Sequence, residues 1–152
     1  MLKYTDTKIV FAEVPDEVTL AINISNCPCH CEGCHSAYLA DDIGELLNWD
    51  SLNAIIGLNR GITCVAFMGG DIFPKEISLL ACKVKQKGLK TAWYSGRQEL
   101  SPEIRLEDFD FIKLGPYIKE KGALNKPGTN QRFYRIEHCS SMIDITNIFW
   151  NK

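Results

Sequence analysis

The sequence lacks a long apolar segment and an excess of charge of either sign. It has 152 residues, with 17 Lys and Arg against 19 Asp and Glu, so its formal net charge is −2. No segment approaches the roughly 20 apolar residues that a membrane helix needs, and no global positive field is available to hold a phosphate backbone. We therefore expect neither a membrane span nor a nucleic-acid partner.

The chain also lacks a secretion signal and linker-like sequence. Its first six residues, MLKYTD, contain no apolar core followed by a small-residue cleavage site. No tract rich in Pro, Gly and Ser divides the chain. Hydrophobic residues make up 45% and charged residues 24%, which is typical of a soluble globular protein. We expect one cytoplasmic domain over residues 1–152.

Cysteine is abundant, and its distribution is uneven. Seven cysteines are present, and four of them lie between positions 27 and 34. An odd number arranged in this way does not suit a disulfide framework, so we expect reduced or metal-bound thiols. Cys64, Cys82 and Cys139 stand alone in or beside apolar stretches, and we interpret them as ordinary core or surface residues.

Three of the clustered cysteines have a distinctive spacing. Cys27, Cys31 and Cys34 are arranged C-x3-C-x2-C directly after the apolar residues 20–24. Thiolates are the usual ligands of iron–sulfur clusters, and three of them would leave one iron of a four-iron cluster open to a substrate or cofactor. The spacing therefore predicts a reactive cluster on one loop.

Apolar patterns along the rest of the chain predict alternating strands and helices. The predicted strands are residues 8–14, 18–24, 62–68, 89–94 and 110–114, and the predicted helices begin at Asp50 and Pro74. This alternation is typical of a mainly parallel sheet with right-handed crossovers. Because a complete eight-unit barrel typically needs about 200 residues or more, we expect an α/β partial barrel or an open curved sheet, whose open side could admit a large partner.

Each central strand of this pattern ends in a polar turn that contains glycine. The three turns are Gly69-Gly70-Asp71, Ser95-Gly96-Arg97 and Gly115-Pro116-Tyr117. The carboxyl ends of parallel strands meet at one edge of a sheet, so we expect these turns to converge beside the cysteine loop. Glycine lets a ligand approach the backbone closely, and Asp71 offers a carboxylate to a cationic group.

Together these residues resemble the radical S-adenosylmethionine (SAM) enzymes, and within them the activating proteins of anaerobic ribonucleoside-triphosphate reductase. The spacing of Cys27, Cys31 and Cys34 resembles the cluster motif of the superfamily, and residues 68–71 (MGGD) look like the turn that holds the amino group of SAM. Residues 115–132 are similar to the C-terminal part of the activases. The likeness implies a partial (β/α) barrel of the radical SAM type with a mainly parallel curved sheet.

The resemblance also implies a reaction. Cys27, Cys31 and Cys34 would hold a 4Fe-4S cluster, and the amino and carboxylate groups of SAM would bind its open iron. Reductive cleavage of SAM would give methionine and a 5′-deoxyadenosyl radical, which would remove a hydrogen from one glycine of the partner, anaerobic ribonucleoside-triphosphate reductase. The electron would come from a flavodoxin- or ferredoxin-type donor, and no catalytic residue beyond the cluster ligands is implied.

The same resemblance implies binding roles for residues at the strand ends. Gly69, Gly70 and Asp71 would contact the amino group of SAM, and Ser95 would contact its ribose or carboxylate. Arg97 and Arg132 are candidates to neutralise the carboxylate, because a guanidinium group matches that planar anion. For the two arginines, solvated surface positions are the alternative, and residues 130–132 could instead serve only as a turn before a strand.

Two other functions stay open from the sequence. A zinc-binding module is an alternative because Cys29, His30 and His35 lie among the spaced cysteines, and zinc takes four such ligands. Zinc sites commonly use a second pair of cysteines or histidines, which the sequence does not provide. The other alternative is a radical SAM enzyme that acts on a small molecule. Such enzymes usually have a longer barrel that closes over the substrate.

Overall fold

The computed structural model describes residues 1–25, 42–138 and 140–150. These residues contain eight strands: β1 (Lys3–Val10), β2 (Thr19–Ile24), β3 (Glu45–Leu46), β4 (Cys64–Met68), β5 (Lys90–Tyr94), β6 (Phe111–Leu114), β7 (Arg132–Glu137) and β8 (Ser141–Asp144). All eight join one sheet in the order β3-β1-β2-β4-β5-β6-β7-β8. The four strands β2, β4, β5 and β6 are adjacent and parallel, and they form the centre of the sheet.

Two α-helices occur in the described residues, α1 (Trp49–Leu58) and α2 (Pro74–Gln86). The first is capped by Asn48 and not, as predicted, by Asp50. The Asn48 side chain accepts a hydrogen bond from the Ser51 amide at 3.0 Å, while the Ser51 hydroxyl accepts one from the Asn48 amide. This reciprocal capping satisfies amide groups that a helix start leaves unpaired. The second helix begins with proline, as predicted. Neither helix has the length and apolarity needed to cross a membrane.

The sheet has a core on each face, because successive side chains of a strand point to opposite sides. On β4, Val65 and Phe67 pack with the helices, whereas Cys64 and Ala66 pack on the other face. In the described part of the chain neither α1 nor α2 packs on this second face, which is called the helix-free face below. It is covered by a loop over residues 11–17 and by the chain beyond β6, including the short 3-10 helix Thr146–Phe149. The covering side chains include Val14, Leu124 and Phe149.

The predicted mainly parallel sheet is wrong, and so is the predicted partial barrel of the radical SAM type. Three strand pairings are parallel, and four are antiparallel. Between β5 and β6 the chain forms only a short 3-10 helix, Leu106–Asp108, in place of a crossover α-helix. Strands β1 and β2 are joined by a short loop, as are β7 and β8, and strands joined in this way pair antiparallel.

The boundaries of β1 also differ from the prediction. The strand spans Lys3–Val10, whereas the apolar pattern predicted a strand over residues 8–14. Pro15 cannot donate to a strand ladder, and Asp16 adopts a positive φ of 62°. These two residues form a turn, so the apolar residue Val14 packs onto the sheet from a loop.

Candidate functional site at the carboxyl edge of the sheet

The carboxyl ends of the four parallel strands lie along one edge of the sheet. Strands β4, β5 and β6 lead directly into turns at that edge, which begin at Gly69, Ser95 and Gly115, and β2 is followed there by Ser25. The structure therefore brings the three glycine-containing turns together with the end of β2, the strand that precedes the cysteine motif in the sequence.

Asp71 and Ser95, two of the predicted cofactor-binding residues, bind each other. The Ser95 hydroxyl donates to Asp71 Oδ1 at 2.5 Å, and the Gly96 amide donates to Asp71 Oδ2 at 3.0 Å. The Asp71 residue is only 5% exposed. Its carboxylate thus ties the turn after β4 to the turn after β5, and each carboxylate oxygen keeps a lone pair for one further donor.

Gly69 and Gly70 adopt conformations that favour glycine, with φ of +109° and +88°. The Gly69 amide donates to Tyr94 O at 3.0 Å, and the Trp93 indole Nε1 donates to Gly69 O at 2.7 Å. A β-carbon on Gly69 would stand 3.2 Å from Ile24 O. Because Gly69 has no side chain, this turn can pack closely against the end of β2.

Lys113 is a charged residue of the site that the sequence analysis missed. Its residue is only 8% exposed, and its ammonium donates to Ser95 O at 3.1 Å and to Gly115 O at 2.7 Å. A lysine within an apolar strand was the available signal, because a buried charge requires partners. Asp71 and Lys113 both contact Ser95, so one anion and one cation lie on the same edge.

A row of side chains crosses the helix-free face just below this edge. Asn23, Met68, Tyr94 and Lys113 are consecutive neighbours across β2, β4, β5 and β6. Tyr94 and Lys113 line a cavity of about 420 Å³, whose walls are mostly apolar. The remaining lining residues are Ala12, Glu13, Tyr117, Ala123, Leu124, Asn125, Gln131 and Phe149.

The loop over residues 11–17 is fixed to this cavity by Tyr94. The Tyr94 hydroxyl donates a hydrogen bond to Glu13 O, and the neighbouring Val14 is fully buried. Burial raises the pKa of the Tyr94 hydroxyl well above its ordinary value, so this group remains a neutral donor. The loop therefore forms part of the cavity wall.

The two candidate arginines occupy different surroundings. The main chain of Arg97 belongs to the site, since its amide donates to Ser95 Oγ at 3.1 Å and its carbonyl accepts from the Gly115 amide at 2.7 Å. The side chain of Arg97 is exposed. The Arg132 guanidinium lies 3.7 Å from the Asp144 carboxylate, so it pairs across β7 and β8.

Residues 26–41 and Cys139 lie outside the described residues, and with them the predicted cluster ligands Cys27, Cys31 and Cys34. Among the residues that the structure does describe, no group of three metal-ligating side chains occurs. Cys64 is a buried core residue, as predicted, and burial raises the pKa of its thiol to about 12.

The charged groups of the edge suit a zwitterionic ligand such as the amino-acid part of SAM. The Asp71 carboxylate and the Gly69 carbonyl are acceptors for an ammonium group, and the Lys113 ammonium is a partner for a carboxylate. The glycines do not leave an empty cradle, because a β-carbon on Gly70 would stand 2.6 Å from Ile77 Cδ1. The fit therefore rests on the donor and acceptor set.

Comparisons with models of protein families, with curated proteins and with solved structures gave no match to this chain. Its relationship to the radical SAM enzymes therefore stays a resemblance of motifs.

Proposed function

We propose that this chain is a radical SAM activase that generates a glycyl radical on anaerobic ribonucleoside-triphosphate reductase. One observation carries the proposal. The C-x3-C-x2-C motif begins at Cys27, two residues after Ser25, and Ser25 directly follows β2, whose end lies beside the Gly69–Asp71 turn after β4. In the sequence, three thiols therefore follow closely after a strand that ends at the edge with the Asp71 carboxylate.

Hydrogen bonds at Ser25 support a functional loop at this position. The Ser25 hydroxyl donates to Ile43 O at 2.5 Å, and the Ser25 amide donates to Lys3 O at 2.9 Å. Ser25 and Ile43 are therefore held together on either side of residues 26–41. The described residues that flank the cysteine motif are thus fixed beside the carboxyl end of β2.

The residues of the edge would bind and orient the ligand. When bound, the cluster and SAM would supply the electron transfer and the radical chemistry. The Asp71 carboxylate and the Gly69 carbonyl would accept hydrogen bonds from the ligand's ammonium group, and Lys113 would attract its carboxylate. Charge-assisted hydrogen bonds of this kind are roughly twice as strong as neutral ones.

The partner would bind in the cavity on the helix-free face. This cavity has about 420 Å³, and its lining includes Lys113, whose ammonium also contacts Ser95 O at the edge. The mostly apolar lining would exclude water from the bound segment. A short protein segment that carries a glycine is a suitable occupant.

The first experiment is an anaerobic reconstitution with iron and sulfide. Electron paramagnetic resonance (EPR) spectra of the reduced protein are recorded with and without SAM, and 5′-deoxyadenosine is assayed. We expect a cluster signal that shifts with SAM and is lost in Cys27→Ala, Cys31→Ala and Cys34→Ala. Cys64→Ala and Cys82→Ala are matched controls, since these cysteines lie outside the motif. Uptake of zinc with no signal and no cleavage would overturn the proposal.

A second experiment identifies the substrate. The reconstituted protein is mixed with purified anaerobic reductase, SAM and a reduced flavodoxin, and the EPR spectrum of the reductase is recorded. We expect a glycyl-radical signal, and none when the reductase carries alanine in place of the target glycine. SAM cleavage without a glycyl radical would favour the alternative enzyme, which acts on a small molecule.

A further inference from the structure

We infer that Trp93 is a positioning residue for the Gly69–Asp71 turn, and that its indole N–H sets the direction of the Gly69 carbonyl. Trp93 Nε1 donates to Gly69 O at 2.7 Å, and the Trp93 residue is 1% exposed. The inference deepens the proposed function, because it takes this turn as the part of the chain that holds the ammonium group of SAM.

Both polar groups of Gly69 are held by consecutive residues of β5. Trp93 binds the Gly69 carbonyl through its side chain, and Tyr94 O accepts from the Gly69 amide at 3.0 Å. Glycine has the greatest backbone freedom of any residue. The turn therefore depends on neighbours for its conformation, and on the carbonyl side the Trp93 indole supplies that restraint.

Apolar packing of the Trp93 ring does not by itself require the N–H group of the indole. Trp93 belongs to the core on the helix side, and the centroid of its ring lies 6.3 Å from the centroid of the Phe109 ring. A phenylalanine would supply a smaller apolar ring, and it would leave the Gly69 carbonyl without this donor. A buried acceptor that loses its donor destabilises the conformation that depends on it.

The hydrogen bond also has a chemical consequence at the edge. A carbonyl oxygen has two lone pairs, so Gly69 O can accept from Trp93 and from a ligand at the same time. The indole fixes where the second lone pair points. Without the indole, the peptide after Gly69 would rotate more freely, and the ligand would have to order that peptide on binding.

The test compares Trp93→Phe with Trp150→Phe. The control loses the same kind of bond, because Trp150 Nε1 donates to Leu124 O at 3.1 Å, away from the turn. Amide hydrogen exchange of residues 69–71 is measured in the full chain without added ligand. We expect exchange to accelerate about ten-fold in Trp93→Phe, which corresponds to about 1.4 kcal/mol, and to stay unchanged in Trp150→Phe. An unchanged rate in Trp93→Phe overturns the inference.

A second readout concerns the ligand. In the reconstituted protein, a SAM titration followed by EPR is expected to give about a ten-fold weaker apparent affinity for Trp93→Phe, with a smaller change in kcat. Equal affinities in Trp93→Phe and wild type overturn the positioning role. If the wild type binds no SAM, the proposed function fails, whereas the exchange experiment still decides whether Trp93 holds the turn.

A shape-conserving substitution keeps the test decisive if Trp93→Phe does not fold. Trp93 is replaced by 3-benzothienylalanine, in which sulfur takes the place of the N–H group and the two-ring shape is retained. Far-UV circular dichroism verifies the fold. Exchange at residues 69–71 is expected to accelerate as in Trp93→Phe, and wild-type exchange in this variant overturns the inference.

Discussion

Replacing Gly70 by alanine tests the packing behind the candidate site. Gly70 has a φ of +88°, and a β-carbon there would stand 2.6 Å from Ile77 Cδ1, 2.9 Å from Ile77 Cγ1 and 3.3 Å from Leu2 Cδ2. Ile77 is fully buried and Leu2 is nearly so. The new methyl group therefore requires Ile77 to move within a filled core.

The expected loss of stability has two contributions. A left-handed conformation costs an L-residue about 1–2 kcal/mol, and adding a methyl group to a packed core typically costs about 1–3 kcal/mol. Gly70→Ala should therefore lower the free energy of unfolding by about 2–5 kcal/mol. Gly61→Ala isolates the first contribution, because Gly61 has a φ of +90° and no atom within 4 Å of its β-carbon position.

The assay is urea unfolding of the wild type, Gly70→Ala and Gly61→Ala, followed by far-UV circular dichroism. Their free energies of unfolding are compared at a common m-value. Gly57→Ala in α1 serves as the opposite control, because its β-carbon position is open and its φ is not positive. Alanine within a helix should stabilise it by about 0.5–1 kcal/mol. A Gly70→Ala protein that is no less stable than Gly61→Ala would refute the packing argument.

Three further predictions concern single groups. Lys113→Met should destabilise the fold by about 1–3 kcal/mol, as measured by urea unfolding, because Ser95 O and Gly115 O lose their ammonium donor. A double-mutant cycle of Asp71→Asn and Ser95→Ala should give a coupling energy of about 1 kcal/mol or more in unfolding experiments, and no coupling would contradict their hydrogen bond. The thiol of Cys64 has a pKa of about 12 against 9.0 ordinarily. The unfolded chain therefore loses this proton first, and the contribution of the thiol to stability should fall by up to about 4 kcal/mol from pH 9 to pH 12. Cys64→Ala should remove this part of the decrease, whereas the part that comes from the buried Tyr94 should remain.

Local sequence patterns were enough to predict the centre of the sheet. Helix α2 begins at Pro74 as predicted, and β4 and β5 lie within the predicted residues 62–68 and 89–94. In these elements the apolar spacing and the flanking glycines point to the same boundaries, so propensity and burial agree. The meeting of their exit turns at one edge follows from the parallel arrangement alone.

The architecture outside that centre could not be predicted in the same way. Strand β8 spans only Ser141–Asp144, and its residues are mostly exposed, so it has no clear apolar alternation. The segment between β5 and β6 interrupts the alternation of strands and helices, because it forms only the 3-10 helix Leu106–Asp108. The orientation of a strand depends on such connections, and their conformation is set by tertiary contacts.

Lys113 illustrates a second limit of sequence reasoning. Residues 110–114 are predicted as a strand, but two partners of the lysine are main-chain carbonyls, Ser95 O and Gly115 O. Every residue has a main-chain carbonyl, so the sequence does not indicate which carbonyls accept hydrogen bonds from a given side chain. A buried lysine can therefore be suspected from its neighbours, whereas the atoms that satisfy it require the three-dimensional structure.

The end of β5 explains how an open mixed sheet can still present a defined site. Three consecutive residues contact three separate parts of the chain: Trp93 binds Gly69 O, Tyr94 binds Glu13 O, and Ser95 binds the Asp71 carboxylate. The first contact lies on the helix side, the second on the helix-free side, and the third at the edge itself. Alternation of side chains along one strand thus fixes the turn, the cavity wall and the carboxylate together. This arrangement depends on β5, on the turn after β4 and on the loop over residues 11–17, so it does not require closure of a barrel.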